Sequence, residues 1–402
     1  MSKSDSSVDS RLESSTSLHA YLESKGAEYA EFDKERMPRI FASLRASFKL
    51  SSHIIHILGT NGKGSTGRFI ALGLLEQGYS VLHFSSPHLH CFNERFYKNG
   101  HIVSDEELEA AHQILQGYAC TKQASYFEYA TLLALVLAQE CEYFVCEAGL
   151  GGEFDSTSVL REFVELSVFT PISYDHMELL GESIESIATT KLKAMSKCAI
   201  LAPQAYKEVE SIAKAMAKEL DSTLVVITKD DIESSLKSLD MADYVRDFAP
   251  FLRENFIVAL RVLKALGIDD IANMPKFDLP ARAQKIAPNV MIDVGHNAEC
   301  ARAMVQILGN KRVNLVYNTF SQKDVREILT IVKPNIDQLL ICPITHSRAM
   351  PRDELVAICA GLGISYEEFV LSRSSIKDDK EYVVFGSFSV AEAFLEMWNA
   401  RR

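Results

Sequence analysis

The sequence predicts an α/β protein of two domains, a larger one followed by a smaller one. Short apolar runs alternate with helical patterns along most of the chain, the rhythm of parallel βαβ units. That rhythm stops at ALGIDDIANMPKFDLP (265–280), a polar, proline-containing stretch, and then resumes. The length, 402 residues, also exceeds what one ordinary core accommodates.

The elements follow in order. Residues 1–16 are serine-rich and polar and read as a disordered tail. The first domain spans 17–268, a linker 269–280 and the second domain 281–402. Leu18, Tyr21 and Leu22 fall on one helical face. HIIHILGT (53–60) reads as a buried strand and KGSTGRFIALGLLEQG (63–78) as the helix after it. SVLHFSS (80–86) is a further strand. A helix over 126–140 leads into the strand YFVCEAG (143–149). A strand within 165–173 leads into a helix near 183–197, and STLVVIT (222–228) is a strand again. In the second domain VMIDVGH, RVNLVYN, QLLICP and YVVFGS are short strands separated by helical patterns. In such sheets ligands gather at the carboxyl ends of the strands, here in the cleft between the domains.

Composition narrows the function. A net charge of −12 argues against a nucleic-acid partner, which needs a concentrated basic face. It does not argue against a nucleotide, bound by local amides and one or two cations. The most apolar segment, Thr131–Ala138, is far short of a membrane span. MSKSDSSVDS has no apolar core of an export signal, so a cytoplasmic location is expected. The eight cysteines are scattered without a CxxC pair and read as reduced thiols.

GTNGKGST (59–66) lies between a predicted strand and helix. Gly59, Thr60, Asn61, Gly62, Lys63, Gly64, Ser65 and Thr66 would wrap backbone amides around an anion at a positive helix end, with Lys63 reaching the terminal phosphates. The common nucleotide loop has four residues between its first Gly and the Gly-Lys pair; here there are two, and Gly64 separates Lys63 from Ser65. A plain glycine-rich turn with an exposed lysine is the alternative.

This compact loop resembles that of the Mur-ligase and folylpolyglutamate synthetase superfamily, and the folate branch of it over nearly the whole chain. SSPHLHCFNERF (85–96), EAGLGGEFDST (147–157), SYDHMELLG (173–181) and IDVGHN (292–297) resemble further motifs of that branch, in the family's order. The resemblance implies a P-loop ATPase domain with a parallel-type sheet flanked by helices, plus a smaller Rossmann-like α/β domain. It also implies ATP-dependent ligation of L-glutamate to dihydropteroate, a reduced folate, or both. The reaction would pass through an acyl phosphate and release ADP and phosphate.

By the same resemblance Ser86 and Glu147 hold one Mg2+ ion, and Glu147 with His176 a second. Lys191 matches a carbamylated lysine that serves as a further metal ligand, although Lys193 lies close by in TTKLKAMSK. Arg282 matches an arginine on the nucleotide phosphates and Asn255 an asparagine at the adenine end. Asp293 is placed near the ribose and the glutamate amine, where a carboxylate could help deprotonate an ammonium. His296 is placed near phosphate and the glutamate carboxylate, and Arg95 and Ser387 match further glutamate contacts. Phe32, Phe92 and Phe96 could stack on a pterin or simply pack. The chain departs from the family at Glu153, usually arginine, at Ser158, usually asparagine, and at Val294-Gly295, usually Gly-Ala.

The alternatives are a polyglutamylating enzyme only, a decayed relative that binds ATP without ligating, and an ATP-driven switch. The apparent glutamate set argues against the switch. A peptidoglycan-type Mur ligase would carry a nucleotide-sugar domain before the loop, whereas only 58 residues precede Gly59. A monomer is expected.

Overall fold

A computed structural model describes residues 16–26, 33–238 and 241–400. Most of the expected tail and Phe32 therefore lie outside the described residues.

Among these, a first sheet has eight strands: β1 (His53–Leu58), β2 (Val81–Phe84), β3 (Phe96–Lys98), β4 (His101–Ile102), β5 (Tyr143–Glu147), β6 (Val164–Phe169), β7 (Cys198–Leu201) and β8 (Thr223–Val226), in the order β4-β3-β2-β5-β1-β6-β7-β8. The run from β2 to β8 is parallel, and β3 and β4 add an antiparallel edge. A second sheet has six: β9 (Gln284–Ala287), β10 (Val290–Ile292), β11 (Val313–Tyr317), β12 (Ile336–Ile341), β13 (Tyr366–Glu368) and β14 (Tyr382–Phe385), in the order β13-β12-β11-β14-β10-β9. Only β9 is antiparallel there. The strands β3, β4, β7, β9 and β13 were not legible as separate runs. All are four residues or shorter, and β4, β9 and β13 are sheet edges, where side chains need not be apolar.

Alternation along β1 sorts its side chains between two cores. Ile55 and Ile57 meet the phosphate-loop helix Lys63–Glu76, through Phe69 and Ile70, and the helix Pro250–Ala265, through Phe256 and Val262. Ile54 faces the opposite core, filled by the helix Tyr126–Ala138, in which every residue from Glu128 to Ala138 is buried. Burial on all sides explains why this helix reads as the most apolar stretch of the chain.

The polar stretch between the sheets is a packed strap. Phe277 stacks on Phe69 with centroids 4.4 Å apart, Met274 is buried, and the Tyr244 hydroxyl donates to Pro275 O at 2.7 Å. All eight cysteines are free thiols. No helix among the described residues is long and apolar enough to cross a membrane.

Candidate active site

In the first sheet the chain runs from β1 outward in both directions, and the crevice at that switch point is where a ligand is expected. Residues 59–62 leave the carboxyl end of β1 there. Thr60 N and Asn61 N both donate to Pro171 O, at 2.9 and 3.2 Å, which ties the loop to the end of β6. Gly59 (φ +136°) passes so close to Thr170 that a Cβ would sit 2.1 Å from its Oγ1. Gly62 (φ +85°) lies against Asn255, whose Oδ1 would be 2.7 Å from a Cβ. Only glycine fits either place. The first intrahelical bond is Thr66 N to Gly62 O, so the amides of the first turn have no helical partner and border the cavity.

Lys63 Nζ lies 3.3 Å from Thr60 O and 3.8 Å from Glu147 Oε1. Glu147 ends β5 and is buried; its Oε2 has no hydrogen-bond partner. Burial raises its pKa, opposed by the charges of Lys63 and Arg282. Ser86 borders the same cavity beside it. His176, with φ +50°, caps the short helix Met177–Leu180, and burial holds its pKa at about 4 against the pull of Asp175, so its ring is neutral.

Lys191 is buried among backbone carbonyls. Its Nζ donates to Leu150 O at 2.6 Å and Gly59 O at 3.2 Å. Burial, reinforced by Lys63, lowers its pKa to about 7 despite Asp175 and Asp155. Lys193 instead points outward and pairs with Glu153 at 2.7 Å. The departure at Glu153 thus has a partner of its own.

The second sheet supplies the facing wall. Asp293 follows β10 and accepts from Gly295 N at 2.7 Å and Ala283 N at 2.8 Å; burial still raises its pKa. Arg282 lies beside it, over the Phe388 ring, and donates to Pro280 O and Ala281 O. Ser387, after β14, caps the final helix through Val390 N and lines the cavity. The two walls touch. Asn61 and Asn297 exchange amide hydrogen bonds of 2.9 and 3.3 Å. Asp175 pairs with Lys323 and lies 3.5 Å from His296 Nε2. Burial alone would raise the Asp175 pKa, but the bond to His296 and the Lys323 ammonium hold it well below the usual carboxylate range.

Sequence reading missed Lys323 and the role of Asp175, because the partners stand 148 positions apart. Of the two readings open for Phe92 and Phe96, the structure shows packing, and Arg95 stands behind the cavity wall. Phe92 and Phe96 pack against each other and against Tyr126 and Phe84, with Phe96 fully buried, and neither lines the cavity. Phe127 and Phe154 line it instead. Arg95 is likewise fully buried and does not line the cavity; its Nε donates to His88 Nδ1 at 2.9 Å, and His88 faces the opening. Apart from Thr66, which is fully buried and does not line it, the remaining predicted residues gather around one cavity of about 1010 Å³, roomy enough for a nucleotide and a second substrate together.

Residues 57–243 match the Mur ligase middle domain family. The crystal structure of Helicobacter pylori folylpolyglutamate synthetase is 41% identical with a TM-score of 0.75, covering 96% of this chain and 98% of that one. Escherichia coli FolC in complex with DHPP and ADP is 25% identical with a TM-score of 0.79, covering 96% and 99%. A Bacillus subtilis dihydrofolate synthase/folylpolyglutamate synthase is 29% identical over 333 residues, 73% of this chain and 77% of that protein. With the compact phosphate loop, the facing acid–histidine wall and this full-length likeness, the chain belongs to the folylpolyglutamate synthase family of Mur-type ligases.

Proposed function

We propose that this protein joins the amine of L-glutamate to the carboxylate of both dihydropteroate and reduced folates. As a family member it is an ADP-forming amide-bond ligase. The observation that carries the reading is the single cavity, with the phosphate loop on one wall and Asp293, His296 and Ser387 on the other. An activated carboxylate formed on the first wall lies within reach of an amine held by the second.

The residues divide the work as follows. The first-turn amides, Lys63 and Arg282 hold the phosphates of ATP, and Asn255, packed on Gly62, borders the nucleotide side. The acceptor carboxylate attacks the γ-phosphorus, the bond to ADP breaks and an acyl phosphate forms. The glutamate amine then attacks the acyl carbon and phosphate leaves. Asp293, its pKa raised by burial, takes the proton that the glutamate ammonium must lose. His296 and Ser387 hold the glutamate, and Arg95 acts through His88. Phe127 and Phe154 offer flat faces for the pterin.

Divalent cations fit the set at Ser86, Glu147 and His176. A buried carboxylate oxygen without a partner and a neutral imidazole belong to residues that line the cavity. When bound, such ions neutralise charge building on the transferring oxygens. Lys191 suits carbamylation: its unprotonated amine adds to carbon dioxide, a proton leaves, and a carboxylate replaces an ammonium. Its bonds to two carbonyls rather than to an acid support that assignment over Lys193. Incubation with isotope-labelled bicarbonate should give a carbamate signal that Lys191→Ala lacks.

The test is ADP release with ATP, magnesium and glutamate, dihydropteroate and tetrahydrofolate being supplied separately. Turnover with both, lost in Lys63→Ala, is the expected result. Turnover with tetrahydrofolate alone would leave polyglutamylation as the sole activity. The 41% identical Helicobacter pylori relative is a folylpolyglutamate synthetase, which favours that second reading. If neither acceptor stimulates folded, ATP-binding protein, the ligase reading fails.

A further inference from the structure

The strap between the sheets is anchored by a residue the mechanism does not use. Arg68, on the phosphate-loop helix, is only 4% exposed and does not line the cavity. Its guanidinium lies 3.5 Å from the centroid of the Tyr97 ring. Nε donates to His83 Nδ1 at 3.3 Å and Nη1 to Asp278 Oδ1 at 2.6 Å. Burial, then the Arg68 charge, pushes the His83 pKa well down, so that ring is a neutral acceptor. Strands β2 and β3 thus grip the guanidinium from the sheet side, and its outward end is given to the strap. The Asp278 side chain is 44% exposed.

Four residues further on stands Arg282. Leu279 and Arg282 both reach the phosphate loop: a Cβ on Gly64 would lie 3.5 Å from Leu279 Cδ2 and 3.8 Å from Arg282 Nη2. The residues on either side of Arg282, Ala281 (φ +54°) and Ala283 (φ +46°), are both left-handed without being glycine. Such backbone persists only where its surroundings over-determine it. Downstream, Ala283 N is held by Asp293, and Ala281 by Gln284 and by Val294 N. Upstream, the polar hold is Asp278 on Arg68, next to the apolar one of Phe277 stacked on Phe69.

We propose that Arg68 is a positioning residue for Arg282. The Arg68–Asp278 ion pair pins the strap to the phosphate-loop helix and so keeps the Arg282 hook in register with the phosphates. The inference rests on Arg282 contacting ATP, as proposed above. Removing Asp278 also leaves the buried Arg68 guanidinium without its carboxylate, so Tm falls too, and kcat/KM read on folded protein isolates the positioning effect.

A double-mutant cycle tests this, with kcat/KM for ATP and Tm measured on Asp278→Ala, Arg282→Ala and the pair, below the melting temperature of each. Misplacing Arg282 should lower kcat/KM for ATP about 10- to 100-fold in Asp278→Ala. Asp278→Glu should restore most of it, and the double variant should be no worse than Arg282→Ala alone. Full activity in Asp278→Ala, or a loss that multiplies undiminished on top of Arg282→Ala, would overturn the proposal. If Arg282→Ala itself leaves kcat/KM for ATP unchanged, the assignment of Arg282 fails first. Should Asp278→Ala not fold, Arg68→Lys carries the same test. A lysine keeps the buried charge but cannot fork to His83 and Asp278 together.

Discussion

His56 shows what a single buried ring does to the molecule. It is part of β1, with Nε2 2.8 Å from Thr157 Oγ1, and burial lowers its pKa from 6.5 to about 4, against the pull of Asp155. Between those values the unfolded chain binds more protons than the folded one. Stability therefore falls as pH drops from 6.5 towards 4, and this contribution is flat above 6.5. His83, also buried and with its pKa pushed well below the ordinary value, adds to the same slope. Melting temperatures measured across that window should fall less steeply for His56→Gln than for the parent protein; equal slopes would remove His56 from the account. At this scale the sequence was legible where chemistry is local. Lys63 sits among glycines that announce its loop. Arg95 was harder, because nothing near it in the chain shows that β2 and the ring cluster bury it, and Lys323 has no motif of its own. Which of Lys191 and Lys193 is buried likewise needed the fold, since two lysines two positions apart at one helix end differ only in what faces them.

Elements were readable where a signal repeats. The helix Asp105–Gln116, which the sequence reading passed over, opens on a capping box, with Ser104 accepting from Glu107 N and Glu107 reaching back to Ser104 N. Ser104→Ala should cost about 1 kcal/mol in urea unfolding, with the m-value unchanged. The phosphate-loop helix depends on Phe69, fully buried between Phe256 and the strap's Phe277. Phe69→Ala should cost about 3–5 kcal/mol by the same measurement. Apolar runs of four to six residues gave away the central parallel strands, because both faces of those strands are covered. Edge strands such as β9 and β13 are exposed or half-exposed and carry no such run. The helix expected over 183–197 ends at Leu192, because β7 begins at Cys198 and the chain must turn between them.

Across the whole molecule the two sheets meet through a few polar contacts, chief among them Asp175 with Lys323 and His296. Truncating one partner of a buried, hydrogen-bonded charge pair typically costs about 2–5 kcal/mol. Lys323→Met should therefore loosen the cleft, seen as a larger radius of gyration by small-angle scattering and faster amide exchange in residues 59–66. An unchanged radius would mean that the other contacts suffice. The Asn61–Asn297 amide pair has a consequence of another kind. Asn61 precedes Gly62, the sequence in which a side-chain amide is most readily lost, because the next backbone nitrogen can attack it unhindered. While the walls are together, Asn297 holds that amide at both ends and keeps it from the ring-closing approach. A parted cleft releases it, and hydrolysis of the closed ring would leave aspartate or isoaspartate, a negative charge in the glycine-rich loop. The contact that joins the two sheets should therefore slow the chemical ageing of that loop, and mass spectrometry after storage should find more deamidation at Asn61 in Lys323→Met than in the parent protein.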